Sequence, residues 1–124
     1  MTRKPPEGYH AVTPYIVARD GDRVLEFIKQ VFDGQVLERM DTPGGMHSEI
    51  RIGDSRVMVG GKKDGSDAMP AMFYVYVDDA DATYARGLAA GGTSLEAPND
   101  APYGDRRAGV KDPMGNQWYV AHRR

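Results

Sequence analysis

Apolar positions along this chain change their period twice, and each half runs through the same succession. In the first half, Val12 and Ile16 alternate with Thr13, Tyr15 and Val17; then Val24, Phe27, Ile28, Val31 and Phe32 recur at helical spacing. Further on, Met46, Ser48, Ile50 and Ile52 alternate with His47, Glu49 and Arg51. In the second half, Phe73, Val75 and Val77 oppose Met72, Tyr74 and Tyr76, a helical stretch follows, and Trp118 and Val120 oppose Gln117, Tyr119 and Ala121. Each half therefore predicts a strand, a helix and several strands. Overlaying them sets Asp22 on Asp79, Phe27 on Tyr84 and Gly34 on Gly91, a constant offset of about 57 residues. The expected architecture is α+β, one domain over residues 1–124, with a first βαβββ module at 10–62 and a second at 70–124. Two equivalent halves imply a pseudo-symmetric site between them. A ferredoxin-like domain, the other reading of such a pattern, needs a single strand after its second helix, and this chain has several strand signals there.

The first helix is expected to begin at Asp20 or Asp22, whose carboxylate can accept unpaired backbone N–H groups, and to end before Gly34, which tolerates positive φ. The second begins at Asp79 or Asp81, turns Ala82, Ala85, Leu88 and Ala89 inward, and ends at Gly91-Gly92. Gly53-Asp54 and Pro113 with Gly115-Asn116 predict two tight turns between strands. Residues 60–70, polar and Gly-rich, read as the connection between modules, and Glu96–Arg107 reads as a loop that can cover a pocket mouth.

Composition narrows the chemistry. The 124 residues suffice for one core, and without a single Cys there is no disulfide framework, thiolate metal site or Cys nucleophile. A net charge of −2 gives no reason to expect nucleic acid. The N-terminal residues lack the apolar run of a signal peptide, and no stretch is long enough to cross a membrane, so a cytoplasmic protein is expected.

Among the polar residues, His47, Glu49 and Arg51 share one strand face, with His47 and Glu49 about 7 Å apart by strand rise. They can serve as base, orienting group and anion anchor, or they can form a solvated face. Tyr15, Met72, Tyr74, Tyr76, Trp118 and Tyr119 offer a surface that suits a flat aromatic guest, because Tyr packs its ring while its hydroxyl bonds and Met adapts its shape, although Trp118 is expected to pack against a helix. The same residues also suit a core or a dimer interface. Tyr103, Asp105 and Arg106 lie in the expected loop, where Arg106 or Arg107 either clamps an anion or pairs with Asp105. His10 and His122 stand near the termini, where a frayed, hydrated side chain is expected.

The paired modules, "VTPY", "HSEIRIGDS", "YVDDAD", "YGDR" and the closing "DPMGN" together resemble the vicinal oxygen chelate superfamily, which includes glyoxalase I, bleomycin-resistance proteins and extradiol dioxygenases. The chain is most similar to its PhnB-like branch, over roughly residues 10 to 122. The resemblance implies that each module forms a curved sheet, that two modules surround a cup, and that the protein is a homodimer, sometimes with exchanged modules. Metal-dependent members carry a His, Gln or Glu ligand on each of several cup strands. Those positions correspond here to residues near Thr13, Val59, Met72 and Tyr119, none a good ligand. The implied function is binding of a small organic molecule in a metal-free cup, without a cofactor and without catalysis. Tyr15, His47, Glu49, Arg51, Met72, Tyr74, Tyr76, Tyr103, Arg106 and Tyr119 are the candidate ligand-binding residues. The alternative is a metal-dependent lyase, isomerase or dioxygenase of the same superfamily that uses non-standard ligands such as His47 and Glu49.

Overall fold

Two aspartates start the two helices. In the computed structural model, which describes residues 3–124, Asp20 accepts the Arg23 N–H at 3.3 Å and Asp79 accepts the Ala82 N–H at 3.1 Å. Each takes up an N–H that the first helical turn leaves without a partner. The aspartate two positions later does something else in both modules: Asp22 pairs with Arg39, and Asp81 pairs with Arg106. The helical equivalents are thus Asp20 and Asp79. Their offset is two residues more than the one that aligns Ile16 with Phe73, because the second module has a longer path from first strand to helix.

The first module runs β1 (Tyr15–Val17), α1 (Gly21–Phe32), β2 (Gln35–Thr42), β3 (Gly45–Ile52) and β4 (Ser55–Lys62). The second runs β5 (Met72–Tyr76), α2 (Ala80–Ala89), β6 (Thr93–Asp100), β7 (Asp105–Lys111) and β8 (Gln117–Arg123). Each forms a four-stranded sheet of the same order, β1-β4-β3-β2 and β5-β8-β7-β6, with the first strand parallel to the last. This is α+β architecture in two βαβββ modules. Much of the expected loop at 96–107 is strand: β6 continues to Asp100 through two register shifts, which let edge-strand Pro98 stand where no ladder hydrogen bond is needed.

One buried cluster joins the modules. Ile16, Ile50, Val57 and Val59 of the first sheet, Val24, Phe27, Ile28 and Val31 of α1, and Val110 and Trp118 of the second sheet belong to the same core. Trp118 stacks on Phe73 with ring centroids 4.7 Å apart and also meets Phe32 at 5.2 Å and Phe27 at 6.3 Å. Two expectations are corrected here. The left-handed residue after α1 is Asp33, at φ 53°, while Gly34 is needed for space, since a Cβ there would fall 2.6 Å from Ile28 Cγ2. The buried stripe of α2 is Ala80, Thr83 and Gly87, with Ala85, Leu88 and Ala89 outward. Alanine occurs all round this helix and marks no face, whereas Gly87 lets the helix approach Val110 closely.

The turn from β7 to β8 explains "DPMGN" physically. The Asp112 carboxylate, almost fully buried, accepts four N–H groups at 2.9–3.0 Å: the backbone N–H of Met114 and Asn116, the Asn116 Nδ2 and the Trp118 Nε1. Asn116 in turn accepts the Ala71 N–H at 3.0 Å, tying the turn to the start of β5. Replacing Asp112 by Ala leaves buried donors without acceptors and is expected to cost roughly 3 kcal/mol or more. Urea unfolding followed by Trp118 fluorescence checks this, and a loss below about 1 kcal/mol would contradict it.

Candidate functional site

Strand alternation gives each sheet one face turned to the helices and one turned away. On the second sheet the outward face carries Tyr74 and Tyr76 from β5, Tyr119 from β8, and Asp105 and Arg107 from β7. Asp105 is completely buried although it stands at the first position of its strand. Its Oδ2 accepts the hydroxyls of Tyr74 at 2.8 Å and Tyr76 at 3.0 Å. Burial and the phenol and carboxylate around it push the Tyr74 hydroxyl far above its usual range, and the hydrogen bond to Asp105 raises Tyr76 as well. Both phenols therefore stay protonated near neutral pH and act as donors.

Tyr103, in the β6–β7 turn, places its hydroxyl 3.0 Å from that of Tyr74 and 2.9 Å from Arg107 Nη1. Arg107 meets both oxygens of Glu96, at 2.7 and 2.8 Å, and its guanidinium lies 5.6 Å from the Tyr119 ring centroid. Tyr119 lies flat because its neighbour on β7 is Gly109, where a Cβ would fall 2.7 Å from Tyr119 Cε1.

The first sheet uses the same device one strand over. Tyr15 on β1 reaches His47 on β3, its hydroxyl 3.0 Å from Nδ1, across Gly60 of the intervening β4. A side chain at Gly60 would fall 2.8 Å from the Tyr15 hydroxyl oxygen. When Tyr15 donates to Nδ1, neutral His47 presents its Nε2 as a donor, which suits binding an acceptor better than abstracting a proton. Glu49 and Arg51 share the face of His47, with exposed Arg51 bonded to Gln35. Tyr9 from the N-terminal segment lies under Arg56, whose guanidinium is 5.2 Å from its ring centroid. Burial first, then the neighbouring Glu49, raises the Tyr9 hydroxyl.

Of the ten candidate residues, the structure gathers Tyr74, Tyr76, Tyr103 and Tyr119 into one network on the second sheet, and Tyr15 with His47 on the first. Met72 stands beside the former group, exposed. Arg106 belongs to neither: it lies on the helix side, bonded to Asp81 at 2.9 Å and to Asp100 at 3.3 Å. Once 105–107 is strand, alternation sends Arg106 away from Asp105, and Arg107 takes the place expected for it. His122 is also ordered, accepting the Ala80 N–H at 2.8 Å through Nδ1 at the start of α2.

The metal positions implied by the resemblance can now be fixed by register. Tyr119 pairs with Tyr74 and Gly60 with Val17, so Gly60 is the equivalent of Tyr119. Val59 is fully buried on the helix side. By the same register Tyr15, rather than Thr13, is the equivalent of Met72, so the four outward positions are Tyr15, Gly60, Met72 and Tyr119, and no group of three His, Cys, Asp or Glu side chains among the described residues could hold an ion. This donor set does not fit a divalent metal at those strands.

A cavity of about 910 Å³ opens along the free edge of β5, between the end of α1 and the β3–β4 turn. Val31, Phe32, Val57, Phe73 and Trp118 line it, and its charged residues Lys29, Asp33, Asp54, Asp78, Asp79 and Arg86 are exposed. It meets the phenol network only at Tyr74 and Tyr76.

Two packed βαβββ modules with this strand order define the glyoxalase and bleomycin-resistance class of fold. The chain belongs to the Glyoxalase/Bleomycin resistance protein/Dioxygenase superfamily, whose family model matches residues 9–120. An uncharacterised protein of Mycobacterium bovis is 32% identical over 121 residues, covering 87% of this chain and 80% of that protein. Among solved structures, TioX from Micromonospora sp. ML1 superposes with a TM-score of 0.76 at 24% identity, over 93% of this chain and 99% of TioX. A glyoxalase/bleomycin resistance protein/dioxygenase family enzyme of Burkholderia phytofirmans PsJN gives 0.72 at 21%, over 89% and 95%. Both similarities speak to the fold alone. No helix among the described residues is long and apolar enough to cross a membrane.

Three residues of the outward face were outside the ten candidates: Asp105 and Arg107, which the sequence offered only as a loop ion pair or anion clamp, and Glu96, which it did not single out. Placing 96–107 in two paired strands was the missing step, and the β-period of Asp105, Arg107 and Gly109 is the signal that reveals it. The Arg107 guanidinium, and secondarily Asn99, hold Glu96 below its ordinary value of 4.5. A depressed carboxylate stabilises the fold above its unfolded pKa and loses that contribution as pH falls through its folded one. Glu96→Gln is expected to cost about 1 kcal/mol at pH 7. The gap from the parent should close progressively below about pH 4 in urea titrations at stepped pH.

Proposed function

We propose that this protein, a PhnB-like member of its superfamily, binds a small organic molecule against the Tyr-bearing sheet face without metal-dependent chemistry. One observation carries the reading: Tyr15, Gly60, Met72 and Tyr119, the outward strand positions to which the resemblance assigns the metal ligands of metal-dependent relatives, include no His, Gln or Glu, while around them phenols are fixed by directed hydrogen bonds. Rings held in place lose little freedom on binding, and their hydroxyls orient a flat guest.

A homodimer is part of the proposal. Tyr15, Met72, Tyr74, Tyr76 and Tyr103 are 41–66% exposed in the single chain, an unusual amount of aromatic and thioether surface on one side of two sheets. Pairing the first sheet of one chain with the second sheet of its partner would set His47, Glu49 and Arg51 opposite the phenol network and enclose the guest between them.

Flat aromatic and heterocyclic compounds are expected to raise the melting temperature. At a hundred times Kd a ligand adds about 2.7 kcal/mol, roughly 10 °C for a chain of this size. Tyr119→Ala should weaken such binding about tenfold while leaving added Zn, Ni, Fe or Mn without effect. A thermal-shift screen that finds no aromatic ligand, or a stoichiometric ion found by elemental analysis of protein purified without chelators, would overturn the reading. Light scattering is expected to give twice the chain mass of 13.6 kDa.

A further inference from the structure

Asp105 is the one completely buried carboxylate on the outward faces of the two sheets among the described residues. Tyr74 and Tyr76 saturate its Oδ2, but its Oδ1, equally buried, accepts no hydrogen bond. Arg123 Nε forms an ion pair with Oδ1 at 3.3 Å without directing its N–H at it, and its Nη1 goes instead to the Tyr103 carbonyl at 2.8 Å. The Arg123 side chain is two-thirds exposed, so its guanidinium can swing into solvent at little cost. Arg107, the neighbouring cation, is already neutralised by its two bonds to Glu96.

The surroundings of Oδ1 select the chemistry of what completes it. The Tyr74 and Tyr76 rings meet edge to face with centroids 5.5 Å apart, and Tyr103 joins them through its hydroxyl. Aromatic faces attract positive charge, and a carboxylate oxygen that accepts no hydrogen bond attracts a charged N–H donor most of all. The phenols stay protonated and cannot serve as anionic metal ligands, so one carboxylate alone does not make an ion site. We propose that Asp105 with Tyr74, Tyr76 and Tyr103 is a subsite for an organic ammonium group, which donates to Oδ1 in place of Arg123 and lays its aryl or alkyl substituent against the rings. This rests on the small-molecule reading above and adds the charge of the guest.

Benzylamine and its neutral isostere benzyl alcohol, titrated by calorimetry at pH 7, test it. The parent protein is expected to bind the amine about tenfold more tightly than the alcohol. Arg123→Ala, a surface change, should strengthen amine binding several-fold without altering the alcohol, and Asp105→Asn should abolish the preference. Equal affinities for the two probes, no binding of either, or an Arg123→Ala variant whose amine affinity is unchanged or weaker would overturn the subsite. Should Asp105→Asn fail to fold, the Arg123→Ala comparison decides alone. Binding of neutral aromatic compounds without preference for the amine would overturn this inference and leave the proposed function standing.

Discussion

The Asp112 carboxylate is the constraint on which most of this fold rests. By gathering four N–H groups it fixes the β7–β8 turn and the indole of Trp118 at once. The indole is the point at which the second sheet enters the core of α1 and the first sheet. Through Asn116 the same turn holds the residue that precedes β5. The positions of β5 and β8, and so of Tyr74, Tyr76 and Tyr119, follow from one buried anion whose hydrogen bonds compensate its loss of water.

From that anchor, side-chain parity distributes the chemistry. Two adjacent arginines on β7 have unrelated roles because successive residues of a strand point to opposite faces: Arg106 braces α2 through Asp81, and Arg107 supports the phenol network through Glu96. The two outward faces also differ in where their bulk comes from. The first lays Tyr15 of β1 across Gly60 of β4, and the second lays Tyr119 of β8 across Gly109 of β7, so the position that is glycine in the first sheet carries the ring in the second while the inward faces kept their apolar alternation.

These differences mark what was legible in the sequence. The inward residues of β3, β5 and β8 could be read because period-two alternation of apolar and polar groups is strong there, and the capping aspartates could be narrowed to two each. The face of α2 was hidden, since an alanine-rich helix buries its smallest side chains and its pattern carries no contrast. The 96–107 segment was hidden by Pro98, Asn99, Pro102 and Gly104, which have the composition of a loop although the edge strand β6 admits them through its bulges. Arg106 was misassigned for the same reason: inside a loop nothing distinguishes it from Arg107, and inside a strand they face opposite ways. Tyr9 carries no periodic signal at all, because it reaches the first sheet from an irregular segment.

The free side of β5 has a further consequence. Residues 73–77 form an uncharged run of aromatic and β-branched side chains at the border of their sheet, the composition that templates intermolecular cross-β pairing. Pro70 lies just before this strand and Asp78-Asp79 directly after it, so an imino acid without an N–H and a pair of negative charges flank the run like gatekeepers. Punctuation at the two ends thus opposes such pairing and leaves the middle of the border free to be apolar.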